Sequence, residues 1–191
     1  PKYRELAEVP EVPQSVCPGH PKAQRLIREM LGEIIRAHPH SRCIHLGADE
    51  AWQLGLNPLT KPTAQKPGGK QKIFLEHVSK LVRQVQAAGK QAMIWDDMLR
   101  EMPLEGLKKL PKNTQLAYWI YKGHGGQFKP ELVPHLGTYR EAGFKVFASS
   151  AIKGAGNYAS SAPHYRERMD NVDWWVEAAE THGPLAGHIA T

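Results

Sequence analysis

Two carboxylates stand side by side at the end of a short apolar stretch, Ser41-Arg-Cys-Ile-His-Leu-Gly-Ala-Asp-Glu50. The alternation of Ile44 and Leu46 with more polar neighbours predicts a β-strand, whose successive side chains point to opposite faces. A regular strand would direct Asp49 and Glu50 to opposite faces, so the backbone must bend if both acids serve one site. Gly47 leaves room for that bend or for a ligand. The pair then suits proton transfer. The competing interpretation is a strand that ends in a solvated acidic turn.

A second apolar strand also ends in two carboxylates, in Gln91-Ala-Met-Ile-Trp-Asp-Asp97. Trp95 precedes these acids, and Trp119 lies in the next predicted strand. Aromatic rings pack on the apolar faces of sugars, and carboxylates accept hydrogen bonds from sugar hydroxyls. The combination indicates a carbohydrate site, although either tryptophan taken alone is more often a core residue than a sugar platform.

Helical and strand patterns alternate along the chain and predict the α/β class. Helices are predicted at 21–37, about 71–88, 104–110, 131–142 and 163–182, and strands at 42–48, 91–97, 115–121, 144–149 and from 186 onward. Residues 1–20 and 53–70 are predicted to be irregular. Such alternation predicts a parallel sheet covered by helices. Asp49, Glu50, Trp52, Asp96, Asp97, Tyr121 and His124 follow strand ends, where parallel sheets bind ligands.

Two of the predicted helices carry long apolar stripes that we expect to face the core. The first stripe is Leu26, Ile27, Met30, Leu31, Ile34 and Ile35, and the last helix carries Tyr165, Met169, Val172, Trp175, Val176 and Ala179. In the helix at 71–88, the inward residues are predicted to be Phe74, Val78, Leu81, Val82 and Val85.

Composition narrows the functional classes. A length of 191 residues predicts one domain, and the 41% hydrophobic and 23% charged residues are ordinary for a globular protein. The net charge of +6 is scattered, and the basic run from Lys61 to Lys72 lacks aromatic residues, so we expect no nucleic-acid partner. No apolar run reaches the ~20 residues that a membrane span needs, so we expect no membrane partner. Rossmann and P-loop patterns are absent, and no cofactor is expected.

The acid pair lies within a specific motif. His45-Leu-Gly-Ala-Asp49-Glu50 resembles the His-x-Gly-x-Asp-Glu signature of glycoside hydrolase family 20, the β-N-acetylhexosaminidases. Three further segments narrow the match within that family: Ala51-Trp-Gln-Leu-Gly55, Ile94-Trp-Asp-Asp-Met-Leu99 and Ser161-Ala-Pro-His-Tyr-Arg-Glu-Arg-Met169. The similarity extends across essentially the whole chain.

The resemblance implies a (β/α)₈ TIM barrel, which needs about 250 residues. The chain, residues 1–191, is therefore expected to be part of a single catalytic barrel and to supply roughly strands four to seven plus the start of strand eight. The family's early-strand arginine and eighth-strand tryptophan have no counterpart in it.

The resemblance further implies hydrolysis of terminal, non-reducing N-acetylgalactosamine or N-acetylglucosamine from β-glycosides, with retention and with the substrate's own acetamido group as nucleophile. Glu50 would be the general acid and then the base for water, while Asp49 would orient the acetamido group and stabilise its developing charge. No protein nucleophile is needed across the sugar ring, which explains why the two acids are adjacent.

The resemblance also assigns substrate-binding residues. Trp95 and Trp119 match tryptophans that wall the acetamido pocket, Asp97 binds or braces nearby groups, and His45 bonds Asp49, bonds a loop or is purely structural. The family's acetamido clamp, a Tyr and an Asp near the end of strand seven, is missing from Phe147-Ala-Ser-Ser-Ala-Ile-Lys153. Tyr121 or Tyr158 could replace its tyrosine.

Alternatives and broader expectations follow. A catalytically inactive sugar-binding protein on the same fold would have no reason to keep the acid pair. A metal-dependent hydrolase would use His45, Asp49, Glu50, Asp96 and Asp97, whose spacing matches no standard metal motif. The 191 residues alone are expected to be inactive and poorly soluble, because about half a barrel leaves sheet edges open. The matching subfamily implies cytoplasmic and nuclear localisation. We expect a small-molecule glycoside or glycoconjugate as substrate and no metal. The oligomeric state is left open, with a homodimer as one alternative.

Overall fold

The structure is a computed structural model and describes residues 2–121, 130, 133–151 and 165–190. The helices are α1 (Pro21–Ala37), α2 (Lys61–Ala64), α3 (Gly69–Ala87), α4 (Leu104–Leu107), α5 (His135–Glu141) and α6 (Tyr165–His182). The strands are β1 (Cys43–His45), β2 (Gln91–Trp95), β3 (Gln115–Trp119), β4 (Lys145–Ser150) and β5 (Gly187–Ala190). They form one sheet in the order β1-β2-β3-β4-β5. Every strand pair whose register is described is parallel, which confirms the predicted α/β class.

The chain divides into two compact units, and β2 is shared between them. Unit 1 comprises residues 1–93 and 108–114, and unit 2 comprises residues 94–107 and 115–191. The prediction that the chain is part of one catalytic domain stays a prediction.

In unit 1, local sequence signals set the helix boundaries. Helix α1 begins at Pro21, whose missing N–H costs nothing there, and the His20 side chain caps it by accepting from the Lys22 N–H. Helix α3 buries all five residues predicted to face inward, and Gly89 follows it with φ of 73°. Strands β1 and β2, which precede and follow α2 and α3 in the chain, pair in parallel, with His45 opposite Met93.

One buried lysine joins the segments around β1. Lys90 lies just before β2, and its Nζ donates to the carbonyl oxygens of His38, Pro39 and Ser41 at 2.9, 3.0 and 2.6 Å. Three acceptors satisfy all three ammonium donors, which makes the burial of this charge tolerable.

In unit 2, β4 pairs in parallel with β3 and with β5. Helix α6 buries a face made of Asn171, Trp174, Trp175 and Ala178. The ring of Tyr118 in β3 makes edge-to-face contacts with the rings of Tyr139 and Trp175, at centroid distances of 5.7 and 5.6 Å. Aromatic packing therefore joins β3, α5 and α6.

Several predicted features were wrong in detail. Strand β1 ends at His45 rather than at residue 48, and the loop predicted at 53–70 contains α2 and the start of α3. Met30 and Ile34 of the first predicted stripe are exposed, as are Tyr165, Met169, Val172 and Val176 of the last. In α6 the buried face lies along a neighbouring stripe that includes the polar residue Asn171. A search for periodic apolar residues does not find such a face. Of the helices described, none is both long and apolar enough to cross a bilayer.

Candidate active site

In unit 1, the two adjacent acids lie on a turn of unusual backbone conformation. After β1 the chain takes positive φ at Gly47 (72°), Ala48 (69°) and Glu50 (49°). Residues other than glycine adopt this left-handed region uncommonly, at about 1–3 kcal/mol each, and such strain is typical of functional sites. The backbone thus bends sharply where the two acids occur, and Asp49 and Glu50 are both exposed, which is compatible with a shared site and with a solvated acidic turn.

His45 is bonded to the start of this turn. Its Nδ1 accepts a hydrogen bond from the Gly47 N–H at 3.0 Å, which places a proton of the neutral ring on Nε2. Partial desolvation lowers the pKa of His45 below its ordinary value, while the nearby Asp49 charge acts in the opposite direction. The structure displays one of the roles predicted for His45, a bond to the neighbouring loop.

In unit 2, Asp96 is a buried structural acid rather than an open ligand. It is 0% exposed. Its carboxylate accepts two hydrogen bonds from Arg100, at 2.7 and 3.0 Å, one from the Trp119 N–H at 3.2 Å and one from the Tyr139 hydroxyl at 3.3 Å. Burial raises the pKa of Asp96, and the Arg100 bonds oppose that shift. Burial also raises the pKa of Tyr139, with the Asp96 charge adding to it.

Arg100 is a site residue that sequence reasoning missed. Burial by itself would lower the pKa of Arg100, but the hydrogen bonds and charge of Asp96 outweigh burial and raise it. The guanidinium also donates to the Trp119 carbonyl oxygen at 3.0 Å and lies 5.0 Å from the centre of the Trp119 ring. The available signal was the i, i+4 spacing between Asp96 and Arg100, which pairs opposite charges on one helical turn.

Three of the predicted sugar-binding residues of unit 2, namely Asp97, Trp119 and Tyr121, lie together at the carboxyl end of β3. The rings of Trp119 and Tyr121 lie 5.1 Å apart at an angle of 32°. Asp97 begins a short 3₁₀ helix, and its Oδ1 lies 3.5 Å from Trp119 Nε1. Trp95 is half-buried at the end of β2. The rings of Trp119 and Tyr121 are half-buried, whereas Asp97 is buried, with 9% of its surface exposed.

The structure therefore collects the predicted residues into two groups. His45, Asp49 and Glu50 belong to unit 1, whereas Trp95, Asp97, Trp119 and Tyr121 belong to unit 2. Two further candidates, His124 and Tyr158, lie outside the described residues. Among residues 2–121, 130, 133–151 and 165–190, no group of three or more His, Cys, Asp or Glu side chains could hold a metal ion.

Comparison with known families decides the classification. The model of the glycosyl hydrolase family 20 catalytic domain matches residues 2–147. The chain belongs to glycosyl hydrolase family 20. The match confirms the family that the acid motif predicted. The matched residues include both groups of candidate site residues.

Curated members of family 20 agree with the narrower match of the sequence motifs. The chain is 28% identical to hexosaminidase D of Bos taurus over 184 residues, which cover 91% of this chain and 51% of that protein. It is 27% identical to hexosaminidase D of Homo sapiens over 198 residues, which cover 99% of this chain and 40% of that protein. The chain thus spans about half the length of the curated relatives it matches.

Solved structures of family 20 type share the fold. A β-N-acetylhexosaminidase from Bacteroides fragilis NCTC 9343 matches with a TM-score of 0.61 at 16% identity, over 98% of this chain and 39% of that one. Dispersin B matches with a TM-score of 0.55 at 16% identity, over 99% of this chain and 56% of that one. The five parallel strands with alternating helices are thus part of a TIM barrel, as predicted.

Proposed function

We propose that the protein is a β-N-acetylhexosaminidase that removes terminal, non-reducing N-acetylgalactosamine or N-acetylglucosamine from β-glycosides. The observation that carries the proposal is the family 20 match over residues 2–147, which includes the adjacent Asp49 and Glu50. Similarity to two hexosaminidases D supports the same substrate class. The substrate is a glycoside or glycoconjugate, and the chemistry needs no cofactor.

The adjacency of the acids fits a retaining, substrate-assisted mechanism. Glu50 donates a proton to the glycosidic oxygen as that bond breaks, and the acetamido oxygen of the substrate attacks the anomeric carbon. Asp49 orients the acetamido group and stabilises the positive charge of the oxazolinium ion that results. Glu50 then takes a proton from the water that opens this intermediate, which restores the starting protonation state.

By resemblance to the family, four residues bind the sugar in this proposal, namely Trp95, Asp97, Trp119 and Tyr121. Trp119 and Tyr121 offer ring faces for the apolar C–H surface of the sugar or its acetyl group, and Asp97 accepts a hydrogen bond at the edge of the rings. Trp95 contributes a further wall. His45 acts through the backbone, because its bond to the Gly47 N–H holds the turn that presents Asp49 and Glu50.

The test is turnover of 4-nitrophenyl N-acetyl-β-glucosaminide and galactosaminide by the full-length protein that contains this chain. Glu50→Gln should lower kcat by about a hundredfold to ten-thousandfold, which is the usual contribution of a positioned acid or base. Asp49→Asn should lower kcat by about a hundredfold to a thousandfold, which is the usual cost of losing a group that stabilises developing charge. Glu33→Gln, on the exposed face of α1, is the matched control and should leave kcat unchanged. Near-normal turnover by Glu50→Gln would refute the proposal.

The 191 residues by themselves are a separate case. Asp49 and Glu50 are exposed to solvent, whereas efficient electrostatic catalysis needs a water-excluded site. We therefore expect no turnover by the isolated chain, and hydrolysis of the chromogenic substrates by it would contradict this. Cytoplasmic and nuclear localisation and homodimer formation stay predictions, to be tested by imaging a tagged full-length protein and by light scattering.

A further inference from the structure

Three consecutive carbonyl groups at the end of β3 are each held by a side-chain donor. Arg100 donates to the carbonyl oxygen of Trp119 at 3.0 Å. Asn171 Nδ2 and Trp175 Nε1 donate to that of Ile120 at 2.9 and 3.3 Å. Arg168 donates to the carbonyl oxygen of Tyr121 at 2.9 Å. All of these contacts lie within unit 2.

The donors on α6 form one face of the helix. Arg168, Asn171 and Trp175 are spaced i, i+3 and i+7, so they follow one another along the same side. Asn171 is 0% and Trp175 is 2% exposed. Only 11% of the Arg168 side chain is exposed, although it also contacts Glu167 at 3.0 Å. Donors held by packing in this way lose little freedom when they bond the backbone.

The position of these bonds is informative. Strand β3 ends at Trp119. Beyond that residue the backbone N–H and C=O groups need hydrogen-bond partners other than those of regular sheet pairing. The Ile120 N–H still donates to the carbonyl oxygen of Ser149 at 3.3 Å. The carbonyl oxygen of Tyr121, one residue further along, accepts from the Arg168 side chain. Side-chain donors thus bond the backbone where the strand ends. This is the segment that carries the rings of Trp119 and Tyr121, which lie 5.1 Å apart.

We propose that Arg168, Asn171 and Arg100 are positioning residues that fix the backbone of Trp119–Tyr121, so that the two rings form a preorganised contact surface for the sugar. The sugar-binding part of this inference rests on the proposed function. Preorganisation improves affinity because the ordering of the rings does not have to accompany binding. Arg168 lies in the described part of one of the segments that resemble the family, and it donates to the Tyr121 carbonyl oxygen.

Arg168 gives the sharpest test, because a matched control lies on the same helix. In the full-length protein, Arg168→Met removes the donor to Tyr121, Arg168→Lys keeps a donor, and Arg166→Met makes the same change at an exposed position two residues earlier. We expect Arg168→Met to raise KM for the chromogenic N-acetylglucosaminide about fivefold to tenfold with less than about a twofold change in kcat. Arg168→Lys should largely restore KM, and Arg166→Met should match the wild type.

A second readout follows Trp119 directly. With 5-fluorotryptophan incorporated into the full-length protein, Trp119→Phe and Trp52→Phe each assign one ¹⁹F resonance. Arg168→Met should shift or broaden the Trp119 resonance and leave that of Trp52, in unit 1, in place. A merely structural role would lower the amount of active protein, and so apparent kcat, without moving KM or the Trp119 resonance.

These outcomes separate the inference from the proposed function. An unchanged KM and an unchanged Trp119 resonance in Arg168→Met would overturn the inference. A wild-type protein without hexosaminidase activity would overturn the proposed function and the sugar-binding role together, while the ¹⁹F comparison would still decide whether Arg168 positions the segment. If Arg168→Met does not fold, Arg168→Gln, which is polar but too short to reach the same carbonyl, provides the same comparison.

Discussion

Loss of the ion pair between Asp96 and Arg100 should destabilise the protein by several kcal/mol. Arg100→Met removes two of the four hydrogen-bond donors of a carboxylate that is 0% exposed. Breaking a buried pair by removing one partner costs about 3–5 kcal/mol, because the remaining charge is left uncompensated. The bond from Arg100 to the Trp119 carbonyl is lost as well. We therefore expect the free energy of unfolding to fall by about 3–5 kcal/mol.

The assay is urea unfolding of the full-length protein, followed by far-UV circular dichroism, for Arg100→Met, Asp96→Asn and the double variant. Residues in one hydrogen-bond network show coupling energies of about 0.5–3 kcal/mol, and we expect a value near the upper end. The exposed residues Arg166 and Asp173 provide the controls Arg166→Met and Asp173→Asn, which should change stability by less than about 0.5 kcal/mol. A cost below about 1 kcal/mol for Arg100→Met, or strict additivity in the cycle, would refute the reasoning.

Three further predictions concern unit 1. Ala48→Gly should raise the free energy of unfolding by up to about 1 kcal/mol, because φ of 69° suits glycine, and Ala48→Val should lower it by about 1–3 kcal/mol; chemical denaturation measures both. NMR titration should place the pKa values of His45 and His77 below the ordinary 6.5, since desolvation lowers both. The unfolded chain therefore binds more protons than the folded chain at pH values just below 6.5, so stability should rise with pH through that range and this contribution should be complete above it. Lys90→Met should cost about 2–4 kcal/mol in the same denaturation assay because three carbonyl groups lose their donor, whereas Lys22→Met at an exposed position should cost little.

Local signals in the sequence were sufficient to predict the bounds of α1 and the buried face of α3. Helix α1 has the predicted bounds because Pro21 begins it and Pro39 follows it, and α3 buries the predicted stripe. Apolar periodicity failed in α6 because the buried face includes Asn171, whose partner is a carbonyl far away along the chain. Such partners are set by tertiary structure and leave no periodic pattern.

The candidate site was predictable to the extent that a motif or strand end marks it. A bend at Asp49 and Glu50 was expected if both acids serve one site, and the structure has a bend there, with left-handed residues on either side of Asp49. The different roles of Asp96 and Asp97 did not follow, because their neighbouring positions look alike in sequence. The i, i+4 spacing signals the Arg100 partner of Asp96, but only the fold places Tyr139 against the same carboxylate.

The mechanism is tested most directly by changing the nucleophile that it assigns to the substrate. We propose comparing kcat/KM for 4-nitrophenyl glycosides that carry N-acetyl, N-fluoroacetyl and N-trifluoroacetyl groups, with Glu50 intact. Fluorine withdraws electrons from the acetamido oxygen, so a mechanism in which that oxygen attacks the anomeric carbon predicts a steep fall in kcat/KM as fluorine is added. A flat series, or turnover of the simple β-glucoside that lacks the acetamido group, would contradict substrate assistance and the roles of Asp49 and Glu50 derived from it.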